Sequence, residues 1–314
     1  MKATLKTLSA LFLAVGSLAA HAAPAILNTG LIQMGVADNA GLGALGRGLN
    51  GPTGDAITPG CLCEGWGASA SGSTGYTYGA SGTVGFNSAL LTTTTASGTG
   101  LAASSVVMMA NGLQVTHSYS YAAGGKLFKV AIELKNTTAG LLTDVRYART
   151  LDWDVTPGFF TDNYTTVYGG TPTGPGGKVL HTSTDPFGVP DPLMLRSQDA
   201  NTNVVDSRGD RGGFFIFGFG SLLAGASQSF DTFIGADSSV SGLLGALASV
   251  GVEAYSYTTG NTPGTDGFRF APAYGYGFVG LGLAPSLGTV PEPGSLALVG
   301  LGLLGFVAAR RKSA

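Results

Sequence analysis

The sequence predicts an all-β protein, an antiparallel β-sandwich with one short helix, and three observations support this fold class. Residues 113–121 alternate between apolar and polar side chains with the two-residue period of a strand that is buried on one face. Gly124-Gly125 and the polar residues 136–140 interrupt the strand-like segments at places where antiparallel strands turn. Residues 213–220 are apolar on both faces, which is typical of a strand covered on two sides.

The first three strands are expected at 113–121, 128–134 and 143–155. Because short turns separate them, we predict that they form a three-stranded antiparallel meander. His117 shares the apolar face of the first strand, so a buried structural histidine is expected there. One face of the second strand is apolar and consists of Phe128, Val130, Ile132 and Leu134.

Later strands complete the predicted sandwich. Residues 213–220 and 230–234 are predicted to be neighbouring strands, and segments 253–258 and 268–283 to close the fold. A short helix is predicted near 238–250, with Asp237 or Ser238 as its N-cap. Its apolar residues recur at helical spacing: Val240, Leu243, Leu244, Leu247 and Val250.

Composition limits the partners of the predicted single body at 23–287. The chain has 314 residues, of which 44% are hydrophobic and 11% charged, so it can form a core beneath a weakly charged surface. Without the charged residues of its two ends, the body keeps 11 basic and 17 acidic residues, a net charge of −6. A nucleic-acid partner is not expected, because the body lacks the basic patch that neutralises phosphates.

The N-terminus has the three parts of a secretory signal peptide. Lys2 and Lys6 precede an uncharged, mostly apolar run at 8–20, which ends in the small residues of Ala20-His21-Ala22. The run is shorter than the roughly 20 residues that a membrane-spanning helix needs. We therefore predict a signal helix within residues 1–22 that signal peptidase removes after Ala22.

The C-terminus predicts a short apolar helix with a basic end. Pro291-Glu292-Pro293 is followed by an uncharged apolar run at 295–309 and then by Arg310-Arg311-Lys312. As a helix the run would be roughly 22 Å long, which is short for a hydrocarbon core of about 30 Å. Because the run is short, the inner membrane is expected to hold this tail only transiently. Because basic residues stay on the cytoplasmic side, the body is expected to lie outside.

The C-terminal segment 288–314 resembles the PEP-CTERM sorting signal, in which this tripeptide, apolar helix and basic cluster occur in the same order. The resemblance implies that a membrane protease of the exosortase type recognises Pro291-Glu292-Pro293 and removes the tail. Most bacteria with this signal are Gram-negative and make extracellular polysaccharide. Residues 134–138, 144–147 and 151–155 also resemble the body of exported bacterial proteins without a known activity, a likeness that supports the fold alone.

Cys61 and Cys63 are the only cysteines of the chain. Export permits a disulfide, and Pro59-Gly60 supplies a turn that brings two sulfurs spaced by one residue into reach. Free thiols, an intermolecular disulfide and a metal site are the alternatives. Zinc is disfavoured because the mature chain offers only His117 and His181 as imidazole ligands.

Asp152 and Asp154 are the first candidates for chemistry, because a spacing of two places both carboxylates on one strand face. The alternating pattern favours a solvated polar face opposite the apolar face that holds Trp153. A weak Ca²⁺ site, completed by Asp162 or Asn163, and an acid–base pair are the alternatives.

The expected function is non-enzymatic. The tail and the β-rich body favour an exported cell-surface or extracellular-matrix protein that is structural or contacts extracellular polysaccharide, with Ca²⁺ as the one cofactor considered. The alternatives are a polysaccharide-active enzyme, a glycosidase or lyase with two carboxylates beside the scissile bond, and an ice-binding protein. A regular Thr-x-Thr repeat is absent, and Thr92–Thr95 is a single run.

Overall fold

The computed structural model describes residues 24–79, 81–96, 100–156, 160, 163–170, 174, 178–260 and 272–287. Within these ranges the chain is mostly β-strand, and its antiparallel sheets pack as a sandwich, which confirms the predicted fold class. The predicted signal helix at 1–22 and the segment 288–314, in which an apolar helix is predicted, lie outside the described residues. Among the described residues, no helix has both the length and the apolar character to cross a membrane.

The described strands form three antiparallel sheets. The smallest contains β1 (Ala25–Asn28), β2 (Gln33–Val36), β3 (Leu49–Gly51) and β4 (Gly54–Asp55). The six-stranded sheet contains β5 (Glu64–Ala70), β6 (Ser73–Tyr78), β7 (Gly82–Val84), β12 (Leu142–Asp152), β14 (Val179–Ser183) and β16 (Gly212–Leu222), in the spatial order 14-16-12-5-6-7. The nine-stranded sheet contains β8 (Phe86–Ala96), β9 (Gly100–Met109), β10 (Leu113–Tyr121), β11 (Leu127–Asn136), β13 (Asn163–Tyr168), β15 (Val204–Gly209), β17 (Ser227–Asp237), β18 (Ala254–Thr259) and β19 (Ala273–Val279), in the order 15-13-18-19-17-11-10-9-8.

The two large sheets face each other across a core rich in aromatic rings. Phe217 of β16 and Phe278 of β19 meet edge to face with ring centroids 4.5 Å apart. The rings of Trp66 of β5 and His117 of β10 are also in contact, with centroids 4.5 Å apart. Such pairs stabilise a core by about 0.5–1.5 kcal/mol beyond their buried area. The four-stranded sheet joins the same core through Leu27, Met34, Val36 and Leu49.

The predicted meander is correct for its first two strands and wrong for the third. β10 and β11 pair along their whole length, from Leu113 opposite Asn136 to Tyr121 opposite Phe128. β12 instead lies in the other sheet, between β16 and β5. The reason is burial, since residues 147–152 are buried on both strand faces, a pattern that fits a central strand covered on two sides.

The predicted pairing of β16 with β17 is also wrong. β16 pairs with β12 and β14, whereas β17 pairs with β11 and β19. The two strands meet across the sandwich instead, where Phe219 stacks on Phe230 with centroids 5.1 Å apart. Both strands bury apolar side chains by packing against each other across the sandwich, and this requires no backbone hydrogen bonds between them.

The helix α1 (Val240–Ser249) forms where the apolar spacing predicts it, but its cap differs. Ser239 is the N-cap, and its hydroxyl accepts a hydrogen bond from the Gly242 backbone N–H at 3.0 Å. Asp237 supports this cap by accepting from the Ser239 backbone N–H at 3.0 Å. The helix covers the outer face of the nine-stranded sheet through Leu243 and Leu247, which are fully buried.

Candidate functional site

The C-terminal end of β12 places Trp153 and its two flanking aspartates on opposite sides of the strand. Trp153 lies in the core with 0% exposure, and its indole N–H donates to Ser256 Oγ at 3.2 Å. Asp152 and Asp154 are 2% and 0% exposed. The expected core position of Trp153 therefore agrees with the structure, whereas the expectation of a solvated aspartate face is wrong.

A later segment of the chain covers the polar face of β12. Thr150, on the same face as the aspartates, donates to the Pro186 carbonyl at 3.0 Å. Arg196 donates to Thr150 Oγ1 at 3.0 Å, and its guanidinium lies 3.7 Å from the ring centroid of Phe214. This covering segment, residues 184–199, shields the polar face of β12 from water at Thr150, a position that its residue type would leave solvated.

A third carboxylate completes a carboxylate cluster, which we define as Asp152, Asp154 and Asp210. Asp210 lies in the turn between β15 and β16, and β16 brings Gly212 opposite Asp152. One carboxylate oxygen from each of the three residues lies within 4.8 Å of the others. Asp210 is only partly buried, so it forms the rim of the cluster.

Four carboxylate oxygens of this cluster are buried without a hydrogen-bond partner among the described residues. They are Asp152 Oδ1, both oxygens of Asp154, and Asp210 Oδ1. The ion pairs found in the described part of the chain do not involve these residues. A buried polar atom without a partner costs about 1–3 kcal/mol, and more when it is charged.

Burial disfavours the charged form of all three carboxylates, and repulsion by neighbouring carboxylates adds to it at Asp152 and Asp154. Burial, together with the charges of Asp154 and Asp210, raises the pKa of Asp152 to about 8. Burial and Asp210 raise the pKa of Asp154 to about 7. Burial also raises the pKa of Asp210, and the neighbouring Arg211 opposes that shift. With no cation present, the cluster therefore holds protons near neutral pH.

The same geometry does not favour glycosidase chemistry. The two carboxyl groups of a glycosidase flank a bound sugar at roughly 5–5.5 Å or 6.5–9.5 Å, with the substrate between them. Asp152 and Asp154 are buried, so a polysaccharide chain does not reach them. What the cluster can hold is a proton or a small cation.

Cys61 and Cys63 form a disulfide in the structure, with their Cα atoms 5.1 Å apart. The Cys63 backbone N–H donates to the Cys61 carbonyl at 2.8 Å, which closes the tight turn between them. Cys61 Sγ lies 3.7 Å from Asp152 Oδ2, and as a disulfide sulfur it has no proton to donate. The bond also leaves neither sulfur free as a thiolate ligand for a metal ion.

Of the two residues named for a Ca²⁺ site, Asp162 lies outside the described residues. Asn163 begins β13 and is buried, and its side-chain amide donates to the Trp153 carbonyl. That bond ties β13 to the end of β12 between the two aspartates. Asp210 was not predicted from the sequence to belong to a site. The only signal for it there is its position in a turn, directly after Arg208-Gly209.

A buried ion pair between Glu64 and Arg149 joins β5 to β12 and was not predicted from the sequence. The Leu42 backbone N–H donates to Glu64 Oε2 at 2.8 Å. Burial raises the pKa of Glu64, although Arg149 favours its charged form. Burial alone would lower the pKa of Arg149, but the Glu64 carboxylate together with Tyr147 and Tyr119 outweighs it, so this guanidinium stays charged.

His117 belongs to the same polar network, as a structural histidine. It is fully buried, and its Nε2 lies 3.0 Å from the Tyr147 hydroxyl. Burial, reinforced by the nearby Arg149 charge, lowers its pKa well below the usual value, so the ring is neutral. Its contacts with Tyr147 and Arg149 give this histidine a structural role in the core.

The comparisons with known proteins concern the end of the chain. A family model described as the PEP-CTERM protein-sorting motif matches residues 289–312, and curated proteins yield no match. The match contains Pro291, Glu292, Pro293, Arg310, Arg311 and Lys312, all outside the described residues. The chain is therefore an exported protein that carries a PEP-CTERM sorting motif, by which the membrane protease exosortase sorts it to the cell surface.

Proposed function

We propose that the body is a non-enzymatic surface or matrix module that contacts neutral extracellular polysaccharide. The observation that carries this proposal is a groove of about 460 Å³ on the outer face of the nine-stranded sheet. Hydroxyl groups and one ammonium group line it. The polar side chains that face it are those of Thr92, Thr94, Ser104, Ser118, Ser120 and Lys129, whereas the Tyr119 hydroxyl points into the core and donates to the Ala40 carbonyl.

The sheet register aligns these hydroxyls across neighbouring strands. Thr92 of β8 lies opposite Ser104 of β9, and Ser104 lies opposite Ser118 of β10. Ser104 Oγ and Ser118 Oγ are 3.4 Å apart. Each hydroxyl offers one donor and two acceptor lone pairs, so the row keeps hydrogen-bonding capacity for sugar hydroxyls.

The lining chemistry favours binding without catalysis. The residues that line the groove include no carboxylate, whereas the usual glycosidase mechanism needs two. The buried carboxylate cluster lies at the end of β12, in the other sheet. Because the body has a net charge of −6, a neutral polysaccharide fits it better than an acidic one, which it would repel.

Binding is tested with the purified exported protein against dextran, cellulose oligomers and alginate. Retention on a neutral polymer is expected, without release of reducing ends. The triple variant Thr92→Ala/Ser104→Ala/Ser118→Ala should weaken binding at least about tenfold, since three hydrogen bonds of about 0.5–1.5 kcal/mol each are lost. Isothermal titration measures the affinity.

The matched control is Ser227→Ala/Ser229→Ala, which removes two hydroxyls from β17 in the same sheet, away from the groove. Its affinity should equal that of the parent. Equal weakening in both variants would contradict the assignment of the groove. Release of reducing ends would support the enzyme instead, and thermal hysteresis lost in the triple variant would support an ice-binding protein.

Both ends of the native protein should be trimmed. Protein recovered from the native host is expected to begin at Ala23 and to end near Pro291-Glu292-Pro293. Replacing this tripeptide by three alanines should retain the protein in the membrane fraction, whereas Ser295→Ala should not. Mass spectrometry and fractionation measure both results, and normal release of the alanine variant would contradict exosortase recognition of the tripeptide.

A further inference from the structure

We propose that the carboxylate cluster of Asp152, Asp154 and Asp210 binds a divalent cation of the Ca²⁺ class. The proposal is independent of the polysaccharide groove, which lies on the outer face of the other sheet. It depends on three features of the cluster: the spacing of its oxygens, their lack of other partners and their chemical type.

The spacing suits one shared ion. Ca²⁺ binds oxygen at about 2.3–2.6 Å, so two oxygens on opposite sides of it are at most about 5 Å apart. In the cluster, one oxygen of each aspartate lies within 4.8 Å of the other two. Three carboxylates that approach this closely can therefore share a single ion.

The lack of partners is an observation separate from the spacing. Asp154 is 0% exposed, and neither of its carboxylate oxygens has a hydrogen-bond partner among the described residues. Asp152 is 2% exposed, and its Oδ1 also has no hydrogen-bond partner among these residues. Buried polar groups in proteins are generally paired or bind ions. A bound cation satisfies these oxygens together.

The donor type selects the class of ion. All three ligands are carboxylates, and hard cations such as Ca²⁺ prefer oxygen. The neighbouring sulfurs of Cys61 and Cys63 are bonded to each other, so thiolates that would favour zinc are absent from the oxidised protein. Mg²⁺ is less suitable, because it demands near-octahedral geometry and releases its water reluctantly.

The position of the cluster indicates what the cation does. Asp152 ends β12 in the six-stranded sheet, and Asp210 follows β15 of the nine-stranded sheet. An ion held by both residues fastens the turn between β15 and β16, where the chain passes from the nine-stranded to the six-stranded sheet, to the end of β12. The partly exposed Asp210 leaves a route for the ion from solvent. The expected consequence is a body that gains stability when it meets Ca²⁺ after export.

The test is a thermal melt of the purified exported protein under oxidising conditions, first with a chelator and then with added CaCl₂. For a dissociation constant near 10⁻⁴ M, typical of extracellular sites, 10 mM Ca²⁺ should raise Tm by roughly 5 °C or more. MgCl₂ at the same ionic strength should raise it less. Calorimetric titration should show one ion per chain.

Asp152→Asn/Asp154→Asn should abolish this rise while leaving the chelated Tm near or above that of the parent, because two buried acids become neutral amides. Asp144→Asn/Asp231→Asn removes the same charge at two less buried positions and should keep the full rise. Asp210→Asn, at the rim, should weaken Ca²⁺ binding about tenfold or more, and it serves as the test if the first pair does not fold.

Two outcomes would overturn the proposal. One is a parent Tm that does not change with Ca²⁺ up to 10 mM and a titration without heat, which would mean that protons alone neutralise the cluster. The other is an undiminished Ca²⁺ response in both Asp152→Asn/Asp154→Asn and Asp210→Asn, which would place the ion elsewhere.

Discussion

Glu64→Gln is expected to lower the free energy of unfolding by about 3–5 kcal/mol, the range for breaking a buried ion pair by removing one partner. Glu64 and Arg149 are 1% and 2% exposed. The substitution keeps the shape of the side chain but leaves the Arg149 guanidinium buried without its counter-charge. Arginine does not lose its proton in proteins, so it cannot escape this cost by becoming neutral. Urea denaturation measures the change.

Two variants show whether the charge is the cause. Glu64→Gln/Arg149→Met should recover most of the loss, because apolar replacement of a whole buried pair is often neutral or stabilising. Asp144→Asn breaks the more exposed pair with Arg146 and should cost no more than about 1 kcal/mol. If Glu64→Gln lowers the free energy of unfolding no more than Asp144→Asn does, the expected cost of leaving Arg149 buried without its counter-charge is contradicted.

Trp153→Ala is expected to cost about 3–5 kcal/mol, the range for emptying a large aromatic site. The side chain is fully buried, contacts Tyr276 with ring centroids 5.7 Å apart, and donates to Ser256. The variant loses the packing and leaves the Ser256 hydroxyl without its donor. Trp66 remains as the fluorescent reporter in a urea titration, since the chain has two tryptophans.

Trp153→Phe should cost less than the alanine variant, because it keeps a ring in the site and loses mainly the indole hydrogen bond. The matched surface control is Leu223→Ala, at a residue that is 70% exposed, where a change within about 0.5 kcal/mol is expected. A Trp153→Ala cost close to that of the surface control would mean that the end of β12 does not pack in the core.

The sequence by itself determined the features that depend on neighbouring residues. Alternation between apolar and polar residues located the β10–β11 hairpin and placed Trp153 and His117 inside, because side chains two residues apart share a strand face. Apolar residues at helical spacing located α1. The proline–glutamate–proline tripeptide and its flanks identified the sorting motif, which is read as a short linear segment.

Only the tertiary structure decided what covers each strand face. Alternation shows that Asp152 and Asp154 share a face, but not that this face is buried. Residues 184–199, much later in the chain, pack on it at Thr150, and the turn at Cys61 lies beside Asp152. Asp210 joins the cluster because β16 pairs with β12, and Glu64 meets Arg149 because β5 pairs with the opposite edge of β12. A strand's local pattern does not specify its sheet partners, since several partners can bury the same apolar face.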